Sequence, residues 1–273
     1  IVCQEYIGIK HISFFHSFSS NAMAHTSYGM MRKYLLPFLI FLSLLCASCS
    51  TGNMRFPQYT INSILPRESF VKVEVKIFGK DDMQTMELGM AAASGSIIRE
   101  TNFGSYILTA QHVCEVIAPP LPMGFPKLEF IGAYKVYDID NTAYDAIVFK
   151  ESDKIDACIM FAKDLKDRSS LKLKYDPPEI ADMAYNVAAP AGFFDAQMVP
   201  LFQGRYSGRY GPHDIYTIPA MGGSSGSPIV NKKGYLIGLI FAVHTKFSHI
   251  SFSPTTKDLY NFIDDIKKAP HAP

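Results

Sequence analysis

Three short segments carry side chains that could do chemistry together. Met221–Pro228 reads Met-Gly-Gly-Ser-Ser-Gly-Ser-Pro, a glycine-rich turn between the apolar runs Ile215–Ala220 and Ile229–Val230. Glycine permits positive φ and lets a ligand approach the backbone closely. Such a turn can aim successive N–H groups into one cavity, which then favours negative charge. Ser225 beside it is a candidate nucleophile, with the N–H groups of Gly223 and Ser225 as its candidate oxyanion hole. Taken alone, the stretch also reads as a plain Gly/Ser-rich hairpin. A serine nucleophile needs a base, and the base needs an orienting acid. Ser105–Cys114 is an apolar run that ends at His112, and Lys154–Phe161 places Asp156 at the start of another. An imidazole suits proton transfer near neutral pH, and a carboxylate would hold its tautomer. Together the three side chains could carry out acyl transfer. Asp145 also opens an apolar run, Tyr144–Val148, and is the rival acid; His213, His244 and His249 are the rival bases.

The order His, Asp, Ser is that of chymotrypsin-like enzymes. Leu108-Thr109-Ala110-Gln111-His112, Asp156-Ala157-Cys158-Ile159-Met160 and Gly223-Ser224-Ser225-Gly226-Ser227-Pro228 resemble the three signature segments of trypsin-like serine peptidases. In look they are closest to bacterial and viral members, such as Deg-type proteases and glutamyl endopeptidases. The spacings, about 44 and about 69 residues, fit one domain of that family, over roughly residues 66–268. The resemblance implies a serine endopeptidase that works through an acyl-enzyme, with a polypeptide as its substrate. It also implies an all-β fold of two six-stranded antiparallel barrels with a C-terminal helix. Many digestive relatives carry an aspartate just before the nucleophile, which pairs with a new N-terminus after activation. Here that position is Ser224, so no such switch is expected. Ser227 stands where animal relatives usually have glycine. By the same resemblance, the primary pocket is lined by Thr217 to Ala220 and by Phe241, Ala242 and Val243. With no aspartate there, a small or apolar side chain is the expected guest, unless His244 turns the pocket toward acidic or amide groups.

These side chains need rigid strands to position them. Ser69–Phe78 alternates Val71, Val73, Val75 and Ile77 with Lys72, Glu74 and Lys76, the period of a half-buried strand. Further strands are expected over 86–99, 106–108, 134–137, 146–149 and 157–162. A second group is expected over 183–187, 198–206, 215–218, 228–230, 235–243 and 250–252. Pro177-Pro178 reads as the hinge, so barrel one spans about 66–175 and barrel two about 178–254. Pro254-Thr255-Thr256 caps a helix to about residue 268, with Leu259, Phe262, Ile263 and Ile266 as its apolar face. The chain stops soon after, which leaves no appended peptide-binding module in this reading.

The chain has 273 residues, 48% of them hydrophobic, and a net charge of +1. That gives no reason to expect nucleic acid as a partner. Residues 1–30 look like an upstream extension before a start at Met30 or Met31. Arg32 and Lys33 then precede a short apolar run to Leu45 and small residues to Cys49, the pattern of a secretory signal over 31–49. Ala47-Ser48-Cys49 also resembles a lipoprotein processing site, which would make Cys49 a lipidated N-terminus and the chain an exported or membrane-anchored one. Residues 50–65 read as a linker. Cys114 and Cys158 each follow a candidate catalytic residue by two positions. A bridge between them is conceivable, but they are expected as small buried hydrophobes. No zinc-type spacing occurs in the mature part, so neither metal nor cofactor is expected. Two other readings remain open at this point. One is a catalytically silent relative acting as a binding module at the cell envelope. The other is an unrelated β-sandwich lipoprotein.

Overall fold

The computed structural model describes residues 65–80, 84–116 and 128–268. The upstream extension, the signal with Cys49 and the linker up to residue 64 lie outside the described residues.

The first six strands close into a barrel. They are β1 (Phe70–Lys80), β2 (Thr85–Thr101), β3 (Gly104–Thr109), β4 (Glu129–Tyr137), β5 (Ala143–Ser152) and β6 (Ala157–Lys163). Their order is β1-β2-β3-β6-β5-β4, antiparallel throughout, with β1 laddered to β2 on one side and β4 on the other. The alternation expected of β1 is the reason it fits. Val71, Val73 and Val75 are buried with Ile107, Val136 and Met160 in the barrel interior, while Lys72, Glu74 and Lys76 are only partly covered. A single helical turn, α1 (Gln111–Cys114), follows β3.

The second lobe contains β7 (Met183–Val187), β8 (Leu201–Tyr210), β9 (His213–Tyr216), β10 (Pro228–Asn231), β11 (Leu236–Leu239), β12 (Ala242–His244) and β13 (Phe247–Pro254). They form one seven-stranded sheet in the order β11-β10-β7-β8-β9-β13-β12. Its two edge strands, β11 and β12, are consecutive in the chain, with only Ile240 and Phe241 between them. So short a connection cannot span a flat sheet of this width, so the sheet curls and brings one end of each edge strand close to the other. The expected second barrel is thus present as a curled half-barrel, with seven strands rather than six. The apolar run Tyr235–Val243 looks continuous but breaks at this crossing. There the Ile240 N–H bonds Ser227 O and the Phe241 N–H bonds Phe252 O.

Helix α2 (Thr256–Lys268) joins the two lobes. Thr255 caps it: its Oγ1 accepts from the Asp258 N–H (3.1 Å) and donates to Asp258 Oδ2 (2.6 Å). Leu259, Ile263 and Ile266 are buried in one cluster with Leu108 and Ile159 of the barrel and Leu236 of the sheet. Among the described residues no helix is long and apolar enough to cross a membrane.

Candidate active site

Strand register brings His112 and Asp156 together. Thr109, the last residue of β3, pairs with Cys158 near the start of β6. His112 lies three residues past the first and Asp156 two before the second, so α1 sits over the turn that opens β6. The Asp156 carboxylate accepts from the His112 backbone N–H (3.0 Å), and its two oxygens lie 3.1 and 2.9 Å from Nδ1 of the same ring. A carboxylate can only accept, so Nδ1 is the donor in this contact and Nε2 is the ring nitrogen left for another partner. Burial pushes the Asp156 carboxyl up, but hydrogen bonds from the His112 ring and from the His112 and Gln111 backbones outweigh it, and its pKa is lowered. Both side chains stay reachable, at 37% and 25% exposure.

The same register explains a correction. Cys114 and Cys158 form a disulfide rather than two unpaired buried thiols. Both belong to the barrel's interior cluster, and their Cα atoms lie 6.5 Å apart, within bridging reach. Asp145, the rival acid, is 86% exposed and pairs with Lys135 Nζ at 2.9 Å. His213 stacks near Phe241 and Phe252, with ring centroids 5.0 and 6.4 Å away. His244 is exposed and accepts the Lys246 N–H at its Nδ1, and His249 is exposed as well.

The nucleophile turn belongs to the second lobe but is held by the first. The Ser94 N–H of β2 donates to Ser225 O (2.8 Å), and Ser94 Oγ donates to Gly223 O (2.8 Å). Gly226 packs so closely on Ser94 O, Thr109 Oγ1 and the Ala110 backbone that a Cβ there has no room, and its φ is +84°. Ser225 is thereby set against the segment that carries His112. Gly223, at φ +92°, lies against Ala189 O and Ala191 N, where a Cβ would come within 2.5 and 2.7 Å.

Within this turn the peptides are pinned one by one. The Ala191 N–H bonds Gly222 O (2.6 Å), the Ser224 N–H bonds Met221 O (2.9 Å), the Ser227 N–H bonds Ser224 O (3.1 Å) and the Gly226 N–H bonds Ile240 O (2.7 Å). In a trans peptide the N–H points opposite to the C=O. The Gly223 N–H therefore faces away from Ala191, and the Ser225 N–H faces away from Ser227. Among the described residues neither of these two N–H groups has an acceptor. Ser224 Oγ accepts from the Met221 N–H (3.3 Å), so this side chain closes its own turn. Ser225 Oγ has no hydrogen bond to His112 or to any other described residue.

Of the expected pocket residues, Ala220 and Val243 join the apolar cluster inside the curled sheet. Phe241 packs against the barrel's cluster. Thr217 is exposed and exchanges hydrogen bonds with the Arg205 backbone. Sequence reasoning passed over Ser94 and the short 3-10 turn Pro190–Gly192. Their signal was the small-residue run Ala91–Ser96, which marks a strand that another backbone approaches closely. Among the described residues no group of side chains could hold a metal ion.

Residues 93–239, more than half of the chain, match the family described as the trypsin-like peptidase domain. That stretch contains His112, Asp156 and Ser225. No curated protein matches the chain. With an all-β, two-lobed fold and this match in agreement, the chain belongs to the trypsin-like peptidase family, serine-type hydrolases whose substrates are polypeptides.

Proposed function

We propose that the chain is an exported serine endopeptidase that works through Ser225, His112 and Asp156. The observation that carries this reading is the pair of unpartnered N–H groups at Gly223 and Ser225, in a turn whose neighbouring peptides are all pinned. Ser225 Oγ attacks the scissile carbonyl carbon as its proton passes to His112 Nε2. The carbonyl π electrons move onto oxygen, where the two N–H groups meet the charge. The imidazolium, steadied by Asp156, then protonates the amine as the C–N bond breaks. Water, deprotonated by the same imidazole, releases the acyl group from Ser225. The hydrogen bond between Ser225 Oγ and His112 forms as substrate is engaged. Ala220 and Val243, both aliphatic, favour a small or apolar side chain in the primary pocket. The likeness to Deg-type proteases and glutamyl endopeptidases belongs with this reading as its finer form.

Export draws support from the signal-like run before Cys49 and from the Cys114–Cys158 bridge, since disulfides persist in oxidising compartments. A lipidated Cys49 would hold the enzyme at a membrane surface.

The test is covalent labelling of the full chain with a fluorophosphonate, with the adduct located by mass spectrometry. The expected result is one adduct on Ser225, abolished in Ser225→Ala and reduced at least about a hundredfold in rate in His112→Ala. Folded protein that takes no label would instead favour a silent binding module.

A further inference from the structure

We propose that Ser94 is the positioning residue of the oxyanion hole. The inference rests on the reading of Ser225 as nucleophile. Ser94 is fully buried on β2, a strand of the other lobe. A serine hydroxyl has one proton to give. Here that proton goes to Gly223 O (2.8 Å), while the oxygen accepts the Ala189 N–H (2.9 Å). The first bond fixes the peptide that follows Gly223. The second fixes the start of the 3-10 turn whose Ala191 N–H holds Gly222 O, and so aims the Gly223 N–H. The Ser94 backbone N–H takes Ser225 O, on the far side of the nucleophile. Thr109 Oγ1, itself buried, donates to Ser94 O (2.8 Å) and keeps this strand in place. One residue therefore connects both walls of the proposed anion site, its hydroxyl on the Gly223 side and its backbone N–H on the Ser225 side. Without its hydroxyl, Gly223 O and the Ala189 N–H lose their shared partner. The Gly222–Gly223 peptide then keeps only the Ala191 N–H, on a turn that has lost its own anchor, and a rotated peptide presents a carbonyl where the N–H is needed.

The role is separable from mere stability. Ser105 offers a control, because it is equally buried, lies at the other end of the neighbouring strand β3, and donates to Leu165 O (2.7 Å). The full-length wild type, Ser94→Ala, Ser94→Cys and Ser105→Ala are titrated with a fluorophosphonate to obtain kinact and KI separately, and Tm is measured by calorimetry. The thiol of Ser94→Cys fills the same space with a weak donor. Positioning predicts that kinact falls about tenfold to a hundredfold in both Ser94 variants, with KI within about threefold of wild type. Ser105→Ala lowers Tm to a similar degree but keeps the wild-type kinact. Wild type labelled at Ser225, with either Ser94 variant equally reactive, overturns this inference alone. Ser94 variants too unstable to purify also count against it, because positioning requires a folded but slow enzyme. A folded wild type that takes no label overturns the reading of Ser225, and this inference falls with it.

Discussion

Asp156 adopts φ +48°, in the left-handed region that aspartate tolerates better than most residues, at the end of a turn where its N–H reaches Asp153 O. This conformation turns the carboxylate back over α1, where it accepts from both the His112 backbone and the ring. Asp156→Asn offers the ring an amide that can also donate, so the imidazole can settle in the wrong tautomer. Activity is then expected to fall about a thousandfold to ten-thousandfold, as measured by kcat on a peptide substrate. The lowered pKa fixes the sign of the pH effect. A carboxyl whose folded pKa lies below its ordinary 3.8 stabilises the fold above that value, and the benefit is lost as pH falls through the folded pKa. The stability difference between wild type and Asp156→Asn in urea unfolding should therefore shrink as pH falls below about 4.

At the scale of elements, the disulfide joins α1 to the start of β6, and so clips the segment carrying His112 to the segment carrying Asp156. Closing this loop, Cys114 to Cys158, constrains the unfolded chain. Cys114→Ala with Cys158→Ala is expected to cost about 2–4 kcal/mol in urea unfolding. Because each cysteine lies two residues past a site residue, kcat should fall as well, at temperatures where the variant is still folded. The pairing was only half legible in the sequence. The cysteines' equal offsets from His112 and Asp156 could be read there, but their facing into one barrel interior depends on the Thr109–Cys158 register. Strand β1 was fully legible because its valines alternate with charged residues. The break between β11 and β12 was not, since Ile240 and Phe241 keep the run apolar while the chain crosses between sheet edges. The run Ala91–Ser96 could be read as a strand. Its small side chains announced that something packs closely there, but not that the partner is the nucleophile turn.

For the whole molecule, helix α2 and the cluster beneath it decide whether the lobes behave as one unit. Ile263 is fully buried between strands of both lobes. Ile263→Ala should destabilise the protein by about 2–5 kcal/mol, through lost burial and the cavity left behind. If the cluster couples the lobes, fluorescence and circular dichroism will report the same urea midpoint in wild type and variant, lowered in the latter. Two separate transitions would mean that the lobes unfold independently.

The attachment of the nucleophile turn to β2 has one more consequence. His112 and Asp156 travel with the barrel, whereas Ser225 belongs to the curled sheet and is held to the barrel through Ser94 and the close seat of Gly226. A slight parting of the lobes would leave every strand ladder and the base–acid pair intact and yet separate attacker from base. Under the proposed mechanism, activity is thus a sensor of alignment, able to fall silent while the fold around it remains whole.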